Sequence, residues 1–91
     1  MKINVTAEDI RAGVSGESDA CPIARAALRA LTEAGEYVNV SAVRAALHVQ
    51  HLDATGKTRD WRCFGLPPEA AAFVDAFDAG SPVEPFTFEV S

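Results

Sequence analysis

Apolar and polar residues alternate in several short segments of the chain, a pattern typical of strands with one buried face. The first segment is residues 3–5, and two more lie at residues 38–41 and 43–52. Turn-forming residues at 53–57 precede a segment at 59–64, which we expect to return as the second strand of a hairpin. One face of the 43–52 strand is then expected to carry Val43, Ala45, Leu47 and Val49.

The strongest alternation is at the end of the sequence, where Phe86, Phe88 and Val90 are separated by polar residues. Pro82 and Pro85 precede it and cannot donate backbone hydrogen bonds to a neighbouring strand. We therefore expect the last strand to start late or to lie at a sheet edge.

Three other segments show helical signals. Thr6 followed by Asp9 is a capping signature and predicts a short helix at about residues 7–12. Pro22 suits a first helical position and Gly35 a C-terminal stop, which predicts a helix at about 22–34. Its apolar stripe would be Ala24, Ala27, Leu28 and Leu31, and the opposite face would carry Arg25, Arg29 and Glu33.

A further helix is predicted at about residues 68–79, where apolar residues recur at helical spacing before Gly80. The stripe consists of Ala70, Phe73, Val74 and Phe77. The order of elements predicts a single α+β domain over residues 1–91. Its expected architecture is one mostly antiparallel sheet of four to five strands with the helices packed on one face.

Composition fits a globular chain, since 48 % of the 91 residues are hydrophobic and 23 % are charged. The net charge of −5 argues against direct nucleic-acid binding and favours a basic partner. The sequence has no apolar run of membrane-spanning length and no signal-peptide pattern after Met1. We therefore expect a cytoplasmic protein without membrane contact.

Two cysteines, Cys21 and Cys63, are far apart in the sequence and are expected to be reduced packing residues. Cys21 precedes a predicted helix, whose N-terminus would lower the pKa of a thiol, so it is the best candidate nucleophile. The chain lacks a G-x-S-x-G motif and a glycine-rich phosphate loop. We expect no enzymatic activity, no catalytic residues and no cofactor.

His48 and His51 suggest metal binding, with Asp53 or Cys63 as further ligands. On a strand, however, positions 48 and 51 point to opposite faces and cannot share an ion. We expect no metal site, and a histidine that is solvated or hydrogen-bonded near the end of a hairpin.

The segment 57–62 is unusual, because it holds three of the eight basic residues and the only tryptophan. Trp and Arg are enriched where binding energy concentrates in interfaces. The candidate binding residues here are Lys57, Arg59, Trp61 and Arg62. Alternatively, Trp61 packs in the core while the charges line the solvated side of a hairpin; contact with a nucleotide or nucleic acid is a third interpretation.

Residues 63–91 contain five acidic residues and neither Lys nor Arg. Asp75 and Asp78 would share one exposed helix face, which a solvated surface explains without any chemistry. As binding residues, they could instead oppose a basic groove on a partner.

Five stretches, at residues 5–13, 21–24, 66–70, 77–80 and 83–90, are similar in order and sequence to a group of small uncharacterised proteins from actinobacteria and their phages. The middle of the chain, at about 40–62, is not covered. This resemblance implies a phage or prophage accessory protein in a bacterial host, and implies no activity or functional residues. The group often has a cysteine where this chain has Ser18, so no metal or disulfide role is expected for the 14–20 loop.

Three hypotheses on function follow. The first is a non-enzymatic protein that binds and occludes a host protein, for example a component of a nucleic-acid-targeting defence system. The second is a protein that sequesters a small molecule or nucleotide, with Arg44, Lys57, Arg59 and Arg62 on phosphates and Trp61 or Tyr37 stacked on a base. The third is a structural homodimer.

Overall fold

A computed structural model describes residues 1–43 and 45–91 of the chain. The described residues form β1 (Lys2–Val5), α1 (Ala7–Ala12), α2 (Pro22–Glu33), β2 (Val38–Val43), β3 (Ala46–Leu52), β4 (Thr58–Gly65), α3 (Pro68–Asp78) and β5 (Phe86–Glu89). The α+β class is confirmed, and the three predicted helices are observed to within one residue at each end.

The strands of the described chain divide between two antiparallel sheets, so the prediction of one sheet is wrong. β2, β3 and β4 follow one another through short turns and pair as a meander. This local pairing leaves β1 and β5 to pair with each other, with Ile3 opposite Phe88. β5 starts after Pro85 and pairs only with β1, which confirms that the last strand starts late and lies at a sheet edge.

The segment predicted as one strand at 43–52 instead contains the last residue of β2 and the whole of β3. β2 ends at Val43, which is opposite Ala46, the first residue of β3. Val43 is therefore exposed at the end of a strand and Ala45 lies in the turn, whereas Leu47 and Val49 are fully buried as predicted. Arg44 lies outside the described residues.

The core lies where α2 packs against both β1 and β2. The small residues of α2 allow this close approach: Ala24, Ala26 and Ala27 are each at most 1 % exposed. Leu28 is 40 % exposed and does not belong to the buried stripe, because the helix presents Ile23 and Ala26 to the sheets instead.

Aromatic rings close the other side of the core. The centroid of the Phe73 ring on α3 lies 4.9 Å from that of Phe86 on β5, and Phe86 lies 5.5 Å from Phe88. This contact fixes α3 against the two-stranded sheet, because ring pairs at such distances add to the area that they bury.

Candidate functional site

The three-stranded sheet has one buried face and one open face. Along β3, Leu47, Val49 and His51 are buried, while the residues between them are only partly covered. Since neighbours across an antiparallel sheet share a face, the register defines the open face. Its members include Asn39, Ser41, His48, Gln50, Trp61 and Cys63.

Trp61 is an exposed aromatic side chain on a strand of the open face, with 65 % of it accessible to solvent. The alternative in which Trp61 packs in the core is therefore wrong. Trp61 lies opposite Gln50 and lines a shallow groove of ≈ 120 Å³ together with Asp19, Ser41 and His48. An indole mounted on a paired strand loses little further freedom on binding, which favours its use as an anchor.

A row of polar side chains crosses the open face beside Trp61. The side-chain amide of Asn39 donates to Gln50 Oε1 at 3.1 Å, and Gln50 Nε2 donates to Thr58 Oγ1 at 2.6 Å. These bonds join β2, β3 and β4 through their side chains. The surface next to the indole is consequently a hydrogen-bonded row with a fixed arrangement.

The turn before β4 is organised by Asp53. Its Oδ1 accepts hydrogen bonds from the hydroxyl and amide of Thr55, at 2.6 and 2.9 Å, and from the amide of Lys57 at 3.1 Å. The hydrogen bond from the Thr55 hydroxyl and those from the two amides hold the pKa of Asp53 below its ordinary value. Gly56, with a φ of 86°, occupies the left-handed region that this turn requires.

The predicted cations are exposed but do not form one cluster. Lys57 and Arg59 lie at the turn end of β4, and Arg59 occupies an irregularity in the register between β3 and β4. Arg62 is opposite the buried Val49 and so points to the other side of the sheet from Trp61. Its guanidinium carbon lies 5.3 Å from the centroid of the Phe64 ring, in a cation–π contact.

The predicted acidic pair lies on α3 and is not joined to β4 by any hydrogen bond or ion pair among the described residues. Asp75 and Asp78 are both exposed, as expected. Asp78 Oδ1 also accepts from the amide of Gly16 at 3.1 Å, and its carbonyl accepts from the Ser15 hydroxyl at 3.1 Å. Asp78 therefore connects α3 to the 14–20 loop by hydrogen bonds, a role that its spacing from Asp75 did not indicate.

Sequence reasoning missed a buried ion pair. Asp9 is 0 % exposed, and its two carboxylate oxygens accept from the Arg29 guanidinium at 2.7 and 2.8 Å. Arg29 also donates to the Asn4 carbonyl at 2.8 Å, and Arg25 Nε lies 3.8 Å from the same carboxylate. Arg25 and Arg29, predicted on the helix face opposite the apolar stripe, thus lie next to α1, and Arg29 also contacts β1.

The Asp9 carboxylate also completes the predicted capping box, since it accepts from the Thr6 amide at 2.9 Å while its own amide donates to Thr6 Oγ1. Burial opposes ionisation, but the hydrogen bonds from Arg29 and Thr6 outweigh it and hold the pKa of Asp9 below its ordinary value. The sequence did contain a signal for this ion pair, because Arg25 and Arg29 are four residues apart on one face of α2. It was missed because Asp9 was already assigned a capping role.

The cysteines behave differently from each other. Cys21 is buried at the start of α2, and this burial raises the pKa of its thiol above the ordinary value, contrary to the expected effect of the helix N-terminus. This shift disfavours the thiolate that a nucleophile needs. Cys63 is exposed on the open face, so its prediction as a packing residue is wrong.

The two histidines lie on opposite sides of β3, as the alternation predicted. His48 lines the groove beside Trp61, while His51 is buried with its Nδ1 3.6 Å from Glu36 Oε2. Within residues 1–43 and 45–91, no three His, Cys, Asp or Glu side chains are grouped as metal ligands would be.

Fold and surface together define a small α+β domain with an open antiparallel sheet face that carries an exposed tryptophan. Comparison of the chain with protein-family models, with curated proteins and with solved structures found no match in any of the three. The helices of the described residues are all too short or too polar to cross a membrane.

Proposed function

We propose that this chain is a non-enzymatic binding protein that docks on another protein through the open face, with Trp61 as the anchor. The observation that carries the proposal is the 65 % exposure of a tryptophan held on a paired strand beside a hydrogen-bonded polar row. In the host cell the effect of docking would be occlusion of the surface that is bound.

The shape of the open face supports a protein partner over a small ligand. Its groove of ≈ 120 Å³ is well below the roughly 300 Å³ at which small-molecule pockets begin. A nearby groove of ≈ 260 Å³ is lined by Tyr37, Leu52 and Asp53, whose carboxylate would repel a phosphate. A broad surface with one protruding indole instead fits a pocket on a partner, since interface energy concentrates in such residues.

Charge suggests how the partner surface is arranged. Lys57 and Arg59 border the turn end of the open face, so a partner with carboxylates beside its tryptophan pocket would be complementary. The acidic α3 provides a separate region of opposite sign, where the Asp78 carboxylate accepts a hydrogen bond from Gly16 and the exposed Asp75 carboxylate accepts none among the described residues. Asp75 would steer a basic region of the same partner towards the domain.

The test is a comparison of matched variants, because capture of a host protein by the wild-type chain alone would not locate the interface. Trp61→Ala removes the anchor, and Leu28→Ala removes an exposed apolar side chain of α2, outside the open face. We expect a captured and purified partner to bind Trp61→Ala at least tenfold more weakly in titration calorimetry, with Leu28→Ala unchanged. Equal affinities of wild type and Trp61→Ala would overturn the proposal.

A thermal-shift screen against nucleotides distinguishes the sequestering alternative. A ligand at 100 times its dissociation constant stabilises a protein by about 2.7 kcal/mol, which such a screen detects easily. We expect no stabilisation by nucleotides. Stabilisation that disappears in Arg59→Ala and Trp61→Ala would replace the protein-docking proposal with the nucleotide-binding one.

A further inference from the structure

The outer edge of β4 has a free set of backbone groups. Leu52 donates its amide to the Tyr37 carbonyl, which shows that the even-numbered residues of β3 direct their backbone groups towards β2. The odd-numbered ones therefore bond to β4, where Asp60, Arg62 and Phe64 are their partners. The amides and carbonyls of Trp61 and Cys63 consequently point away from the sheet. Among the described residues, no other element takes them up.

We propose that this edge pairs with the β4 edge of a second copy of the chain, antiparallel and about a two-fold axis at Trp61. In this register Trp61 is opposite Trp61 of the second copy, and their amides and carbonyls bond to each other. Asp60 is then opposite Arg62 of the second copy, and the symmetry repeats this pair on the other side of the axis. Each copy supplies both partners of a complementary pair, as an isologous interface requires.

Charge selects this register over its neighbours. Moving the axis by one residue towards Asp60 places the two Asp60 side chains opposite each other, and moving it towards Arg62 opposes the two arginines. These positions would be non-hydrogen-bonded pairs, where side chains across an antiparallel ladder approach most closely. Like charges there are destabilising, so both neighbouring registers are disfavoured.

The length of the free edge limits the strength of the dimer. In this register Cys63 is opposite Arg59 of the second copy, so the irregularity at Arg59 interrupts the ladder at both ends. A ladder of residues 60–62 from each copy buries less area than a standard interface, so the dimer would dissociate at low concentration. Pairing would join two open faces into one six-stranded surface with both Trp61 side chains at its centre. The dimer does not depend on the proposed docking function.

The experiment is a charge exchange followed by sedimentation velocity from about 5 to 500 µM, a range suited to a small interface. Asp60→Arg and Arg62→Asp each replace two attractive pairs with two repulsive ones, and we expect each to weaken self-association about tenfold or more. The double variant restores opposite charges in the same register, so we expect it to dimerise within about threefold of wild type.

Two further variants test whether dimerisation depends on the backbone hydrogen bonds of the β4 edge or on the Trp61 side chain. Trp61→Pro removes an amide that faces away from the sheet, so it should abolish dimerisation while far-UV circular dichroism stays unchanged. Trp61→Ala controls for loss of the indole and keeps the amide. A wild-type chain that is monomeric throughout the range overturns the proposal. A dimer that survives Trp61→Pro, or that the double variant fails to restore although it is folded, also overturns it. A failure here leaves the docking test unaffected, because that test measures a different partner.

Discussion

The β1–β5 sheet and strand β4 show how the same kind of alternation leads to opposite surroundings. Ile3 and Val5 of β1 and Phe88 of β5 are at most 3 % exposed, because α2 and α3 cover that sheet. In β4, whose residues are all described, none is buried, since the strand lies at an edge beyond the reach of α2. The covered sheet therefore provides stability, while β4 presents its side chains to other molecules.

The largest expected effect contrasts a core residue of β3 with the anchor on β4. Leu47 is 0 % exposed, and Leu47→Ala should lower the free energy of unfolding by about 3 kcal/mol, because a cavity would remain in the core. Trp61→Ala should change it by less than about 0.5 kcal/mol, as for an ordinary surface site. Urea unfolding of both variants checks the contrast. A large loss in Trp61→Ala would show that β4 is part of the stabilising region.

Asp9→Asn is expected to cost about 2 kcal/mol at pH 7, since it leaves the Arg29 guanidinium without its carboxylate while retaining a capping side chain. The matched control is Glu8→Gln, which changes an exposed carboxylate one residue away. Thermal unfolding of both variants at pH 7 measures the difference. Similar midpoints for the two would contradict the assigned role of Asp9.

The same ion pair makes a prediction on pH dependence. The pKa of Asp9 is lowered in the folded chain, so its stabilising contribution is complete above the unfolded pKa and is lost as the pH falls through the lower, folded value. The difference in stability between wild type and Asp9→Asn should shrink as the pH is lowered from about 5 to about 2. A difference that is constant over this interval would contradict the prediction.

Asp78→Ala should lower stability by about 1 kcal/mol, because the Gly16 amide loses a charged acceptor in an exposed position. Asp75→Ala is the matched control on the same helix and should be close to neutral. Amide hydrogen exchange should also show faster exchange of Gly16 in Asp78→Ala alone. Unchanged exchange there would mean that the loop is held without this carboxylate.

The smallest expected effect concerns reactivity rather than stability. In the native chain, a thiol reagent at pH 7 should modify Cys63 rapidly and Cys21 only after denaturation, because Cys21 is buried and its pKa is raised. Counting reacted thiols with and without denaturant checks this. Rapid modification of both would contradict the different environments of the two cysteines.

Much of the fold was predictable because its signals are local. Pro22 and the glycine after α2 bound that helix, the Thr6–Asp9 pair caps α1, and the spacing of residues in α3 marks its buried side. The division into two sheets was not predictable in this way, since strand pairing depends on contacts between distant segments. The change of strand between Val43 and Ala46 was also missed, because apolar residues at 43, 45, 47 and 49 continue the alternation across it.

The candidate site was predicted as a set of residue types but not as an arrangement. Composition singled out the segment with Trp61, yet whether an aromatic residue is covered depends on which helix reaches its strand. Arg62 was grouped with Trp61 because the two residues are adjacent in the sequence, although the alternation of β4 puts them on opposite sides of the sheet. Asp9 was assigned only its local cap, because its partner Arg29 belongs to another helix.

The pairing of β1 with β5 joins segments from opposite ends of the described chain, with Lys2 opposite Glu89. During synthesis on a ribosome, the β2–β3–β4 meander emerges complete while β1 still lacks the strand that covers its edge. Contacts of such long sequence separation slow folding and leave intermediates exposed. The edge of β1, with Ile3 and Val5, would therefore stay without its partner strand until β5 has left the ribosome.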